Sequence, residues 1–453
     1  MSAKEEVDPE AFEPAKLSRL AGAPRDPLGQ LSPQPWMAWP QTKAVLAALT
    51  AGGAEVRFVG GCVRDALLHR PCKDIDIATP DTPDRVMALL AAAGIKVVAT
   101  GLAHGTVTAV VGEGAEARTF EVTTLRRDVA TDGRHAEVEW TTDWVADAAR
   151  RDFTINAMSA TPDGAVYDYF DGLAHLHHGR VVFVGRAQAR IREDFLRILR
   201  FFRFHARYGR PPLDHEGLKA CQMLADGLDG LSGERVRDEL LKILETDAAP
   251  DVLLVMRGER ILAHILPEAA EFGRLRQLVF LESRGVRLPG LEIDPLRRLG
   301  AVLAEGTDAA AVAARLKLSN AQAARLAGLL DGTVRPWPTL DTVERQGLLR
   351  RVGRDGLRDR ALLLWAGQRA LEGRTDSRLT AGWVALLEDA AALPIPEFPL
   401  RGRDLLALGA APGPQVGALL AALEEEWEAG GYGADRDALL AQARDRLSGA
   451  AQL

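Results

Sequence analysis

The sequence predicts an α+β fold: a small mixed β-sheet head followed by an extended all-α neck, body and tail. Three observations lead there. Short apolar runs of strand length, broken by Gly turns and single helices, occupy residues 56–125. Beyond about Arg186 the strands disappear, and alanine- and leucine-rich segments of helical period run to the C-terminus. Nothing in the second half alternates with the period of two that a half-buried strand requires.

Residues 1–35 are rich in Pro, Glu and Ala with weak periodicity and read as a disordered lead. They carry no apolar run of the kind a secretory signal needs. A head is expected over 36–186. Helical pattern starts near Thr42, and Val56–Val59 reads as the first strand. Thr82-Pro83-Asp84 is a helix start, with a capping Thr, Pro at the first helical position and an acid in the first turn. That helix stops at Gly94. Strands follow at Lys96–Ala99, Thr106–Val111 and Arg118–Leu125, the last two joined by a Gly112-Glu113-Gly114 turn. The polar stretch from Arg126 to His135 has little to pack and reads as a mobile loop. Helical segments then divide into a neck (187–246), a body (247–334) and a tail (335–453), with Arg335-Pro336-Trp337-Pro338 as the break before the tail. The tail tryptophans read as core rather than as stacking platforms.

The 453 residues, 47% hydrophobic and 26% charged, suffice for several buried cores. No apolar run reaches the ~18 residues of a membrane helix, so no membrane partner is expected. Cys62, Cys72 and Cys221 are scattered and form no metal-ligand pattern, which fits a reducing cytoplasm. The net charge of −7 excludes a uniformly basic coat but not a local basic groove. Eight lysines against 48 arginines reflect either a GC-rich genome or an arginine-rich phosphate surface, and the two are compatible.

Four constellations carry chemistry. In the first, Val56–Thr79, a strand, a Gly60-Gly61 turn, a helix start and a second strand are packed into 24 residues. Asp74 and Asp76 stand two apart, so on a strand they share a face. Glycines admit phosphate close to backbone N–H groups, and Arg64 or Lys73 can add charge or fix Asp65. Paired carboxylates beside a phosphate-binding turn suit Mg²⁺ and a nucleoside triphosphate. The second is Glu121, an acid among apolar and Thr residues: either a third carboxylate of a two-metal site or a solvated edge-strand residue. The third is Arg150-Arg151-Asp152-Phe153-Thr154-Ile155-Asn156. Arginines grip phosphates bidentately, and Asp152 and Asn156, four apart, share a face on a helix and can hold a ribose hydroxyl. A capped surface helix is the plainer alternative. The fourth is Glu193-Asp194-Phe195-Leu196-Arg197, continued by Arg200 and Arg203. Asp194 and Arg197 are either an intrahelical ion pair or a protein substitute for a pairing base. In the latter reading Asp accepts from the amino group of cytosine or adenine and Arg donates to the neighbouring ring acceptor, which selects CTP and ATP.

Together these stretches resemble the class II tRNA nucleotidyltransferases, the CCA-adding enzymes, and their kin the bacterial poly(A) polymerases, within the DNA polymerase β-like superfamily. The resemblance rests on G-G-x-V-R-D, D-I-D-I-A-T, R-R-D-F-T-I-N-A, E-D-x-L-R-I-L-R-x-x-R-F and E-R-V-R-D-E-L, in that order across Val56–Leu244. It implies a nucleotidyltransferase head with two Mg²⁺ ions on Asp74 and Asp76. Gly60, Gly61 and Arg64 would lie at the triphosphate, Arg151, Asp152 and Asn156 along the ribose and phosphate, and Asp194 and Arg197 at the base, with Arg200 and Arg203 also binding the nucleotide. Arg127, Asp128, Asp132, Gly133 and Arg134 would belong to the family's flexible loop, associated with the change from C to A addition. The implied activity is untemplated addition of C, C and A to tRNA from CTP and ATP, with tRNA rather than DNA as partner. The alternatives are an A-adding enzyme or poly(A) polymerase and, in another class, a non-catalytic RNA-binding protein. One departure stands out: Asp168-Tyr169-Phe170-Asp171-Gly172-Leu173-Ala174-His175-Leu176 has Asp171 where the family's hinge motif has a first Gly, and His175 where it has a last Asp.

Overall fold

The computed structural model describes residues 26–72, 74–131, 136–285, 291–373 and 376–450. They fall into two compact units, one within Met1–Ile243 with Val255–Ile265, the other within Leu244–Leu254 with Leu266–Leu453.

Among the described residues the strands all lie in the first unit: β1 (Gly29–Gln30), β2 (Arg57–Val59), β3 (Ile75–Thr79), β4 (Lys96–Gly101), β5 (Thr106–Val111), β6 (Arg118–Thr124), β7 (Arg126–Thr131), β8 (Ala136–Trp140), β9 (Ser159–Ala160) and β10 (Ala165–Tyr167). Its main helices are α1 (Pro40–Thr50), α2 (Gly61–Leu67), α3 (Pro83–Ala92), α4 (Trp144–Ala149), α5 (Gly172–His178), α6 (Ala187–Glu193), α7 (Leu196–Tyr208), α8 (His215–Met223) and α9 (Gly233–Leu244). Eight strands make one sheet in the order β1-β10-β9-β2-β3-β6-β5-β4. Within it only β3 and β6 are parallel neighbours. A parallel pair needs a crossover, here α3 with β4 and β5. Phe58, Ile77, Leu90, Val107, Phe120 and Val122 fill the core beneath the sheet and are fully buried. Thr82 stands at the cap of α3 without donating or accepting a capping bond, so Pro83 at the first position sets that start.

Two expectations need correction here. The lead is shorter than residues 1–35. Gly29–Gln30 pairs with Ala165–Val166 at the sheet edge, and Leu31 is 2% exposed. A two-residue strand among prolines has no alternation to reveal it. Residues 1–25 lie outside the described residues. Second, Arg126–Thr131 is not a loop. β7 and β8 pair as a separate two-stranded sheet, and Arg127 faces Glu139 across it at 2.6 Å. Opposite charges on facing positions stabilise such a ribbon where apolar pairs are lacking. Arg127 and Asp128 are therefore strand residues, and Asp132, Gly133 and Arg134 fall outside the described residues.

The neck packs onto the end of the head through aromatic rings. Phe153 meets Phe183 and Phe204 at 4.8 and 5.1 Å between centroids, and Phe183 stacks on Phe201 at 5.5 Å. This fixes α7 against the segment that follows α4.

The regular elements described in the second unit are helices, apart from an isolated bridge between Ala269 and Leu303. Its long helix, Thr342–Glu372, is interrupted at Gly353 (φ +71°). Arg297 and Arg298 are almost fully buried, and both bond Glu282 at 2.6 Å, while Arg297 also bonds Asp359 at 2.7 Å. Trp365, Trp383 and Trp427 are buried, as expected of core residues, whereas Trp337 is 38% exposed. Body and tail, expected as separate segments, both lie within this unit.

Candidate active site

β2 ends at Val59, and the chain turns at Gly60 with φ +68° and ψ −122°, a conformation open to glycine. A Cβ at Gly60 would lie 3.0 Å from Arg151 Nη1 and 3.8 Å from Asp76 Oδ2. The turn thus opens onto the same space as an arginine and a carboxylate. Gly61 begins α2, a helix of seven residues.

Asp76 sits on β3, with Asp74 one residue before that strand and exposed. The β3–β6 register sets Asp76 directly beside Glu121. β6 lies between β3 and β5, so the edge-strand reading of Glu121 does not apply. Burial, then repulsion from Glu121, pushes the Asp76 carboxyl up to about 6; Asp74 adds to the shift and Arg151 opposes it. Among the described residues none of the three side chains has a hydrogen-bond or ion-pair partner, and no three His, Cys, Asp or Glu side chains make a closed metal cage. Hard oxygen donors on adjacent strands, repelling one another and open on one side, fit Mg²⁺. That ion keeps waters and takes substrate phosphates beside one or two carboxylates. Lys73 lies outside the described residues.

The arginines are placed differently. Asp143 caps α4 by accepting from Val145 N at 2.9 Å. One turn on, Asp147 is 3% exposed and takes Arg150 at 2.7 Å and Arg151 at 3.1 Å. Burial alone would raise the Asp147 carboxyl, but the two guanidinium groups outweigh it and hold it below the usual range. Arg151 also donates to Asn156 O at 3.3 Å.

Asp152 and Asn156 do not share a helix face. The chain leaves α4 at Arg150, Phe153 is extended, and Thr154–Asn156 forms a single 3₁₀ turn. The two nevertheless meet, because the turn folds Asn156 Nδ2 back onto Asp152 Oδ1 at 3.0 Å. Asn156 Oδ1 accepts from Arg64. Arg64 also grips Asp65 at 3.0 and 3.1 Å, donates to the Tyr208 hydroxyl at 2.7 Å and lies 4.2 Å over that ring. Asp152 in turn receives Arg200 through a fork of 2.8 and 2.5 Å. Asp65, Arg64, Asn156, Asp152 and Arg200 form one unbroken chain of bonds from the glycine turn to the neck helix.

The picture of Asp194 and Arg197 on one helix also needs correction. Asp194 is extended (φ −157°, ψ 107°) in the break between α6 and α7. Its Oδ1 accepts from Leu196 N at 3.1 Å and its Oδ2 pairs with Arg235 at 2.8 Å. Arg197 pairs with Glu193 and donates to Arg190 O at 2.8 Å. The side chains lie at one corner without bonding each other. A short polar side chain that caps its own following helix outcompetes helix continuation there. Arg203 pairs with buried Glu239 at 2.5 Å.

Sequence reasoning overlooked Asp147, Glu239 and Tyr208. Asp147 had a signal, since an acid three and four residues before two arginines on a helix faces both. Glu239 lies in the E-R-V-R-D-E-L stretch, which marked it without giving it a partner, and Tyr208 reaches across the chain and had no signal.

In the hinge segment, Asp168 accepts from Phe170 N, Gly172 N and Leu173 N at 3.1, 2.9 and 2.8 Å, capping α5. Asp171 adopts φ +60°, which accounts for Gly at that place in the motif. His175 Nδ1 meets Thr154 Oγ1 at 2.9 Å.

Against known proteins, a family model described as poly A polymerase head domain matches residues 56–182, and one described as probable RNA and SrmB-binding site of polymerase A matches 212–272. The sequence is 37% identical over 404 residues to CCA tRNA nucleotidyltransferase 1, mitochondrial, of Mus musculus, covering 85% of this chain and 86% of that one. It is 32% identical over 416 residues to a CCA-adding enzyme of Levilactobacillus brevis, covering 89% and 97%. Its fold matches the crystal structure of Bacillus stearothermophilus CCA-adding enzyme in complex with CTP with a TM-score of 0.72 at 26% identity, over 91% and 98% of the two chains.

Proposed function

Because the chain belongs to the family of CCA-adding tRNA nucleotidyltransferases, we infer that it adds C, C and A in turn to the 3′ end of tRNA, using CTP and ATP and releasing pyrophosphate. The observation that carries the reading is the β3–β6 register, which sets Asp76 beside Glu121 at the mouth of the glycine turn.

In this mechanism the triphosphate lies against Gly60 and Gly61, where the missing side chains let it approach the backbone. Asp74 and Asp76 would hold Mg²⁺, with Glu121 as the third carboxylate. Bound there, the metal would supply stabilisation of the attacking 3′-oxygen and of the departing pyrophosphate. Arg151, steadied by Asp147, faces the phosphates. Asp152 and Asn156 line the ribose, and Arg64, four of whose five N–H groups bond Asp65, Asn156 and Tyr208, positions Asn156 beside the triphosphate. Asp194 and Arg197 read the base edge after exchanging their partners Arg235 and Glu193 for the nucleotide. Arg200 and Arg203 hold the neck helix through Asp152 and Glu239. The helical second unit takes the tRNA by shape and backbone. We place the protein in the cytoplasm, with its three cysteines as free thiols; no described helix is long and apolar enough to cross a membrane.

The test is a stepwise extension assay. tRNA transcripts ending before CCA, after one C and after two Cs are each given CTP, ATP or both with Mg²⁺. Two Cs and one A followed by a stop are expected. A lone A on the CC-ended substrate only, or a long A tail, would replace this reading with A addition or polyadenylation.

A further inference from the structure

Cys62 and Cys72 play no part in the mechanism above, yet both bond the backbone carbonyls of the residues that carry its carboxylates. Cys62 is the second residue of α2 and fully buried; its thiol donates to Val59 O at 3.2 Å and to Asp76 O at 3.6 Å. Cys72 is half-buried, and its thiol donates to Asp74 O at 3.1 Å. Carbonyls two residues apart on extended chain project to the same side, so both thiols gather on one side of the Asp74–Asp76 segment. Cys221 stands apart, buried on α8.

We propose that Cys72 and Cys62 form a peroxide-sensitive dithiol whose closure to a disulfide switches nucleotide transfer off. The half-exposed Cys72 sulfur attacks a hydroperoxide, breaks its O–O bond and becomes a sulfenic acid while one water or alcohol leaves. The Cys62 thiol then attacks that sulfur, the S–S bond forms and a second water departs. Two thiols lose two protons and two electrons, and the peroxide is reduced. A dithiol reverses the step by exchange.

The geometry says where the bond acts. A disulfide requires its Cβ atoms about 3.8 Å apart. Cys62 is fixed in a buried helix, so adjustment falls on Cys72, two residues before Asp74. Residues that must hold a metal within a fraction of an ångström are thereby drawn out of place. The effect on activity rests on the catalytic roles proposed above; formation of the bond does not.

The experiment treats the full-length protein with graded hydrogen peroxide. Samples are divided among intact-mass analysis, peptide mapping and the extension assay, each with and without dithiothreitol. The expected result is a loss of about 2 Da, a linked Cys62–Cys72 peptide, loss of incorporation, and recovery of incorporation with dithiothreitol. Cys72→Ser, with Cys72→Ala as a second variant should serine disturb folding, is expected to keep its incorporation through the same treatment. Absence of the linked peptide, or equal inactivation of both variants, would overturn the proposal. A linked peptide with undiminished incorporation would overturn the switch. The untreated wild-type assay reports separately on the proposed function.

Discussion

The β3–β6 side of the site leaves its charges uncompensated, whereas the α4–α7 side neutralises nearly all of its own. Asp74, Asp76 and Glu121 have no ion-pair partner among the described residues, and Asp76 is driven up to about 6. Across the turn, Arg64, Arg150, Arg151, Arg197, Arg200 and Arg203 each meet a protein carboxylate. The difference separates two tasks. Unrelieved carboxylates suit a cation that enters with the substrate. Paired arginines keep their positions at no cost in unpaired buried charge, and so make a frame that is already set when the nucleotide enters.

The largest effect is expected where the uncompensated side is cut. Asp76→Ala should lower nucleotide incorporation by roughly 10³-fold or more while a filter-binding assay finds tRNA affinity nearly unchanged. Glu121→Gln should cost less, because Glu121 is more exposed. Asp76 also sets a pH signature in chelator. A carboxyl whose folded value is near 6 against an ordinary 3.8 weakens the fold at neutral pH and has no such effect below the unfolded value. Asp76→Asn should therefore gain about 1–3 kcal/mol near neutrality, and the gain should fade as the pH drops through 6 towards 4. A destabilised Asp76→Asn would remove the contrast between the two sides.

The paired side should respond in the opposite sense. Asp147→Ala strips two arginines of their shared partner and should cost about 3 kcal/mol in urea unfolding, with a raised KM for nucleotide. A variant as stable as the parent would mean the arginines find other partners. Next in size is nucleotide choice. Asp194→Arg should change discrimination between CTP and ATP by about 1–3 kcal/mol, the scale of a bidentate base contact, in single-nucleotide competition. Unchanged preference would leave Asp194 as a cap for α7 and nothing more.

Backbone changes come last. Gly60→Ala forces an L-residue to φ +68° and crowds Arg151, at about 1–2 kcal/mol by thermal unfolding. Asp171→Gly relieves a left-handed residue and should alter stability by no more than about 1 kcal/mol. A large loss would assign the Asp171 side chain a role of its own in the hinge.

Much of this was legible in the sequence for a physical reason: the informative groups are close in the chain. The Gly60-Gly61 turn, the Asp74–Asp76 spacing and the Thr106–Val111 strand follow from local geometry. The errors arose where distant partners decide. Gly29–Gln30 is a strand because Val166 and Ala165 offer it an edge. Arg127 joins a hairpin because Glu139 lies opposite. Asp152 and Asn156 meet through a 3₁₀ turn that periodicity reads as helix. Asp194 leaves the helix because its carboxylate caps the next one and Arg235 holds it. The neighbourhood of Asp76 and Glu121 was suggested by residue type alone, and only the strand order supplies it.

The contrast between the two sides is tested most directly by titrating Mn²⁺, read by electron paramagnetic resonance, into wild-type protein, Asp76→Asn and Asp147→Asn in the presence of CTP. Loss of bound Mn²⁺ in Asp76→Asn, with near wild-type Mn²⁺ binding in Asp147→Asn, is the predicted result. Equal Mn²⁺ binding by wild type and Asp76→Asn would contradict the assignment of the open carboxylates to the metal.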